Sequence, residues 1–166
     1  MDIEVRPLKQ EDWTAVADIY KQGIETGNAT FQNDIPTWDE WNSVHLKACR
    51  IVATLNSEIV GWAALAPVSA RQVYAGVAEV SVYVSNLFKG NKVGTILLKT
   101  LISESEKEGF WTLQASIFQE NIASLRLHDN LGFRRVGFRE RIGKMDGRWR
   151  DTILLERRSK IVGGDL

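Results

Sequence analysis

The run from Ala78 to Ile102 restricts this chain more than any other stretch. Glu79, Ser81 and Tyr83 alternate with Ala78, Val80, Val82 and Val84, the two-residue period of a half-buried strand. Ser85-Asn86 ends that strand, and a basic, glycine-bearing loop follows: Lys89, Gly90, Asn91, Lys92, Val93, Gly94 and Thr95. Val93, Leu97, Leu98, Leu101 and Ile102 then recur at helical spacing. A strand, a loop and a helix N-terminus in this order place free backbone N–H groups and the positive end of the helix dipole beside lysines, an arrangement suited to holding phosphate. The loop is neither a P-loop nor a dinucleotide fingerprint, because its glycines do not have either spacing. On Gly90 and Gly94 alone, a plain turn and an anion site are equal readings.

The flanking sequence surrounds this unit with alternating elements. Ile3 and Val5 before Pro7 predict a short edge strand. Glu11 and Asp12, followed by Trp13, Val16, Ala17, Ile19, Tyr20 and Ile24, predict a helix with acids in its first turn. Thr37 and Glu40 form a capping-box pattern ahead of Trp38, Trp41, Val44 and Leu46, a second helix whose tryptophans read as core rather than substrate wall. Strands over 50–55 and 59–66 flank a hairpin signal at Asn56-Ser57-Glu58. After the helix through Ile102, Glu104 to Lys107 read as a solvated last turn stopped by Gly109. Thr112 to Phe118 is another strand, and Asn121 caps a short helix with Ile122, Leu125, Leu127 and Leu131 on its apolar side. Strands over 134–144 and 148–157 enclose Asp146-Gly147, and 159–166 reads as a frayed tail. The order implies an α/β sandwich with a central mixed sheet of about seven strands and about four helices.

A chain of 166 residues suits one domain with a substantial core. Its 21 basic and 21 acidic residues balance without blocks of like charge, which gives no reason to propose nucleic-acid or membrane binding. The acidic, polar N-terminus does not read as a secretory leader, and no apolar run approaches the roughly 20 residues of a membrane span. The single cysteine, Cys49, reads as buried filler. These features predict a soluble cytoplasmic protein.

Several separated motifs resemble the GNAT acetyltransferase superfamily. Lys89, Lys92 and Gly94 fall on the three defined positions of its pyrophosphate loop, Gln/Arg-x-x-Gly-x-Gly/Ala. Lys89 keeps a charge where Gln or Arg is usual, and Lys92 adds a side chain where glycine is usual. The element order is that of the GNAT fold. The segments 70–74 and 78–84, and Asn121 with His128 seven residues on, resemble the branch of phosphinothricin, methionine sulfoximine and arsinothricin N-acetyltransferases, which acetylate the α-amino group of toxic amino-acid analogues.

The resemblance implies acetyl-CoA as co-substrate, lying along Val82, Tyr83 and Val84, the loop from Lys89 to Thr95, and Asn121 with Ser124. Backbone amides of Val82 and Val84 would polarise the thioester carbonyl, and the Asn121 carboxamide would bond the pantetheine arm. An ammonium ion has no lone pair, so acetylation needs a base. Glu79 is the candidate, and desolvation in a cleft would raise its basicity. In the bland reading it is a solvated edge-strand glutamate. His128 occupies the position of the superfamily's thiolate-protonating tyrosine, and its near-neutral pKa suits it to donate to sulfur or orient the amine. Arg71 is the candidate clamp for a substrate carboxylate or oxyanion, with Tyr74 and Tyr83 as hydroxyl donors and Phe31 as a wall. Ser69 stands where the phosphinothricin pattern has a second basic residue. No metal is called for. The resemblance further implies resistance as the physiological outcome and a homodimer. Two rivals stand beside this reading: a catalytically silent acyl-CoA-binding domain, and a protein or polyamine acetyltransferase, whose polyamine site would call for clustered acids.

Overall fold

The computed structural model describes residues 2–164. Its elements are β1 (Ile3–Pro7), α1 (Trp13–Glu25), α2 (Trp38–Val44), β2 (Ile51–Leu55), β3 (Glu58–Pro67), β4 (Val77–Val84), α3 (Val93–Lys107), β5 (Thr112–Phe118), α4 (Ile122–Asn130), β6 (Arg134–Met145) and β7 (Arg148–Arg158). The strands form one mixed sheet in the order β1-β2-β3-β4-β5-β7-β6, the α/β architecture that the alternating elements predicted. All neighbours pair antiparallel except β4 and β5.

That exception creates the site. The β4–β5 ladder matches only Val77, Ala78 and Glu79 with Thr112, Leu113 and Gln114. The strands continue to Val84 and Phe118 without pairing to each other, so the centre of the sheet opens into a wedge. Ser85 N donates to Val60 O at 2.9 Å on the β3 side. Because amides alternate in direction along a strand, the Val82 and Val84 N–H groups point the other way, into the wedge.

Each sheet face carries its own core. Ile51, Ala53, Leu65, Val80, Leu113, Ile117 and Leu155 pack with Leu97, Leu98 and Leu101 of α3. Val52, Trp62 and Ala64, on the opposite face, pack with Val16, Ile19 and Tyr20 of α1 and Trp41 of α2. Strand alternation explains the division. At about 25 cal/mol per Å² of apolar surface removed from water, each fully buried valine, leucine or isoleucine here contributes about 1.5–3 kcal/mol. Trp41, with no exposed surface, is core as the sequence suggested. Arg50 closes α2 by donating to Leu46 O at 2.9 Å and His45 O at 3.1 Å while lying over the Trp41 ring.

Local signals set the boundaries. Thr37 accepts from Glu40 N at 3.2 Å and caps α2. Asn56 and Ser57, at φ 51° and 68°, and Asp146 and Gly147, at φ 50° and 78°, form left-handed two-residue turns of the kind that matches strand twist. Gly109, at φ 87°, ends the α3 segment.

Five expectations change. Asp12 stands at the α1 N-terminus but makes no capping bond to the helix; it is buried and takes a bidentate bond from Arg6 at 2.8 and 2.9 Å plus one from Lys9 N. Leu46 lies beyond α2 and donates its N–H to Leu65 O instead. The α3 end is not fully solvated, since Ser105 is buried and Glu106 accepts from the Ser159 hydroxyl at 2.6 Å. Ile122 is exposed, and His128 takes a buried position on α4. The tail is tied down at its start: Ser159 is buried, and Arg158 donates to Val162 O and Gly163 O. Residues 165–166 of that expected tail lie outside the described residues.

Candidate active site

The wedge opens into a cleft of 1220 Å³, above the usual range of about 300–1,000 Å³ for a small-molecule pocket and so roomy enough for an extended ligand beside a second one. Its floor is the polar part of the sheet face that α1 and α2 leave uncovered. Glu79 and Ser81 of β4, Ser116 and Phe118 of β5 and Thr152 of β7 line it. The opposite wall is the segment after α1, with Asn28, Ala29, Thr30, Phe31 and Gln32. Phe31 packs edge-on against Phe118 at 4.7 Å between centroids.

At the wide end of the wedge, Lys89, Gly90, Lys92, Val93, Gly94 and Thr95 line the cleft. Ile96 is the first α3 residue whose N–H reaches back, to Lys92 O, and no side chain caps the helix. The Val93, Gly94 and Thr95 amides therefore have no helical acceptor. Gly90 has φ +83°, the left-handed region. A Cβ on Gly94 would approach Leu127 at 3.3 Å and Val84 at 3.6 Å, so this helix start sits close against β4 and α4. Lys92 has φ 64°, the conformation that the usual glycine adopts freely and lysine adopts at a cost.

Glu79 is half-buried, and its Oε2 accepts from Gln114 Nε2 at 3.3 Å. His128 is 4% exposed. Its Nδ1 lies 2.7 Å from Ser124 O, and since a carbonyl only accepts, Nδ1 carries the proton. Nε2 is then an unprotonated acceptor, buried and without a partner among the described residues. Burial pushes the His128 pKa below its ordinary value, against the opposing pull of the Ser124 carbonyl and Asp129. The ring packs edge-on against Phe133.

Asn121 has both ends of its side chain engaged. Oδ1 accepts from Ser124 N at 3.2 Å, and Nδ2 donates to Asn28 O at 3.1 Å. The helix-cap role is thus present, together with a tether to the opposite wall. Tyr83 lines the cleft with a ring packed into the core, stacked on Trp62 at 4.8 Å and beside Tyr20 at 4.9 Å. Burial raises its phenol pKa, with the neighbouring Tyr20 adding to the rise. Gly23 makes room for that ring, because a Cβ there would come within 2.6 Å of it. Cys49 is buried away from the cleft, and burial pushes its thiol up to about 11, which makes it inert.

Three residues expected at the site are not in the cleft lining. Arg71 and Tyr74 are exposed residues of the 68–76 connection, where the guanidinium sits over the Tyr74 ring at 5.5 Å. The two side chains face each other on the surface, in the connection that joins β3 to β4 beyond their last matched pair, Pro67 and Ala78. Asn91 is exposed in the loop beside Lys92. Gln114, Ser116, Thr152 and Asn28 were not anticipated. The alternation of Gln114 and Ser116 with Leu113 and Ala115 was the one available signal, and it identifies a face without saying what the face meets.

Comparison with known proteins agrees with this geometry. Residues 5–154 match the model of the acetyltransferase (GNAT) domain. The chain belongs to the GNAT acetyltransferase family.

Among its relatives in this family is a phosphinothricin N-acetyltransferase of Streptomyces coelicolor, 32% identical over 164 residues that cover 94% of this chain and 96% of the relative. An L-methionine sulfoximine/L-methionine sulfone acetyltransferase of Pseudomonas aeruginosa is 26% identical, with 94% of each chain covered. The GNAT phosphinothricin acetyltransferase of Sinorhizobium meliloti, solved with acetyl-CoA, superposes with a TM-score of 0.85 at 26% identity, covering 95% of this chain and 89% of that one. The protein is an acetyl-CoA-dependent N-acetyltransferase. Unpaired strand amides in the wedge, uncapped amides at the α3 start and two lysines form a donor set that fits a thioester on a diphosphate-bearing arm.

Proposed function

We propose that this GNAT enzyme acetylates the α-amino group of a small amino acid or toxic amino-acid analogue of the phosphinothricin, methionine sulfoximine or arsinothricin type, and thereby confers resistance. The observation that carries this reading is that Glu79, from a strand, and His128, from a short helix, line one cleft, with the wedge amides of Val82 and Val84 beside them. The acetyltransferases of Streptomyces coelicolor and Pseudomonas aeruginosa support the choice of acceptor. Among the described acids only Glu79 and Glu120 line the cleft, a poor match for a polyamine.

An ammonium acceptor that becomes an amide has two protons to lose. Glu79 takes the first and frees the nitrogen lone pair. The Gln114 bond holds one carboxylate oxygen still, so that the other is the base. Acetyl-CoA supplies an activated acetyl group on a thioester. The Val82 and Val84 N–H groups stabilise negative charge on the carbonyl oxygen as nitrogen attacks. His128, neutral with its lone pair on Nε2, takes the second proton and returns it to the departing sulfur. This reading refines the expected donor role: the imidazole must accept a proton before it can give one. Lys89, Lys92 and the first α3 amides hold the diphosphate.

We also infer a homodimer. The outer edge of β6 has no strand partner among the described residues, and Val136, Phe138 and Ile142 on that strand are 42%, 55% and 44% exposed. A 12-residue edge strand with apolar side chains is a surface that proteins usually cover.

The deciding experiment is CoA-thiol release across phosphinothricin, methionine sulfoximine, methionine sulfone, peptides and polyamines. Release with the amino-acid analogues is expected. Release confined to peptides or polyamines overturns the acceptor assignment, and acetyl-CoA binding with no release for any amine supports a silent domain.

A further inference from the structure

Packing alone does not explain why residue 150 is an arginine. Arg150 lies on β7 with its side chain 9% exposed, and burying a guanidinium costs several kcal/mol unless its donors are well used. Its one carboxylate partner among the described residues is Glu120, 42% exposed and 3.4 Å away, a weak counter-charge. The short bonds go elsewhere. Nη1 donates to Gly27 O at 2.8 Å, and Nη2 donates to Asn28 Oδ1 at 2.8 Å. The guanidinium also lies 4.1 Å from the Phe118 ring centroid.

Gly27 and Asn28 begin the segment that walls the cleft opposite the sheet. Farther along it, Phe31 meets the same Phe118 ring and occupies the space over Gly143, where a Cβ would come within 2.7 Å of the Phe31 ring. Phe118 therefore contacts both the Arg150 guanidinium and Phe31. Asn121 Nδ2 reaches the same segment at Asn28 O, so two donors from the far side of the chain converge on Asn28. An aliphatic side chain at 150 would pack against Phe118 and Met145 without the desolvation cost, but it would leave the wall untied.

We propose that Arg150 is a positioning residue: it latches the 26–32 segment to β7 and so sets the height of the wall under which the amine acceptor meets Glu79. The acceptor part of this statement rests on the proposed function; the latch itself does not. Arg150 touches no reacting atom. It acts through Gly27, Asn28 and the Phe118–Phe31 contact.

The test compares full-length wild type with Arg150→Met, Arg150→Lys and Asn28→Ala by hydrogen–deuterium exchange and by steady-state kinetics with whichever panel amine the wild type acetylates. Amides in 26–32 are expected to exchange about tenfold faster in Arg150→Met, the effect of losing charge-assisted bonds that close a local opening. Peptides from α3 and β5 should keep wild-type rates. The amine KM should rise by a similar factor while kcat and the acetyl-CoA Kd hold, with Arg150→Lys falling between because a lysine cannot reproduce the fork. Unchanged exchange in 26–32 overturns the latch. Faster exchange throughout the protein with a lower Tm also overturns it, by making Arg150 an ordinary core residue. If Arg150→Met does not fold, Asn28→Ala decides, since it removes one accepting oxygen from a half-buried residue. A wild type that acetylates no amine refutes the proposed function alone, and the exchange comparison still judges the latch.

Discussion

Gln114 Nε2 donates to Glu79 Oε2 across 3.3 Å, and these two residues are the last matched pair of the parallel β4–β5 ladder. The proposed base thus stands at the point where the sheet divides. The ladder fixes its Cα, Gln114 fixes one oxygen, and the cleft opens from this pair onward. Glu79→Gln should lower kcat/KM by about 10²–10⁴ with little change in Tm. Raising the pH supplies free amine and should narrow that deficit. Gln114→Ala should cost about tenfold, since it loosens the carboxylate without removing it. CoA release at saturating acetyl-CoA measures both, and full activity in Glu79→Gln would remove the base.

His128 and His45 link stability to pH in the same direction. Each donates Nδ1–H to a backbone carbonyl, of Ser124 and Trp41, at 2.7 and 2.8 Å. Burial lowers both pKa values. A group whose folded pKa lies below its unfolded value of about 6.5 contributes stability that is complete above that value and is lost as pH falls toward the folded pKa. Tm should therefore decline as pH drops from 7 to 5, and His128→Gln should flatten part of the decline. The same replacement should lower kcat by about 10²–10⁴. A Tm that rises on acidification would contradict the neutral, buried imidazoles.

How much could be read beforehand depended on whether the cause was local. The β4 alternation, the α3 apolar face, the Thr37 and Asn121 caps and the Asp146-Gly147 turn are properties of a few consecutive residues, and each lies where it was expected. The β4–β5 wedge arises from a pairing between segments some 35 residues apart, and no local signal marks where such a ladder stops. Thr152 and Arg150 were invisible for the same reason, and the alternation around Gln114 marked a face without marking its partner. On α4, only nine residues long, the apolar period leaves the phase of the helix ambiguous, so Ile122 was placed inside. Arg71 and Tyr74 illustrate the reverse case, a motif that specifies chemistry without specifying where the chain carries it.

The outer edge strand makes a prediction about assembly. If β6 is where two copies meet, Phe138→Glu places a charge within an apolar contact and should shift the protein toward monomer, measured by light scattering on size-exclusion chromatography. The monomer should keep its fold, because Phe138 is more than half exposed and contributes little to the core of its own chain. A wild-type protein that is already monomeric at micromolar concentration would dispose of the interface.

Lys92 presents a conflict between conformation and charge that one substitution separates. At φ 64° it holds a left-handed conformation that costs a residue with a Cβ about 1–2 kcal/mol, and its place immediately before α3 puts an ammonium group at the mouth of the proposed diphosphate site. Lys92→Gly removes the strain and the charge together. The released strain is partly offset by the greater freedom of glycine in the unfolded chain, so a gain of about 0.5–1 kcal/mol is expected in denaturant unfolding. Acetyl-CoA binding should move the other way, weakening at low salt and converging on the wild-type value as salt screens the lost charge. Lys92→Met separates the two effects, keeping the strain while discarding the charge: stability should stay at the wild-type level and binding should fall as in the glycine variant. Equal affinity in all three proteins at low salt would mean that the Lys92 ammonium does not reach the diphosphate, leaving Lys89 and the α3 amides to hold it.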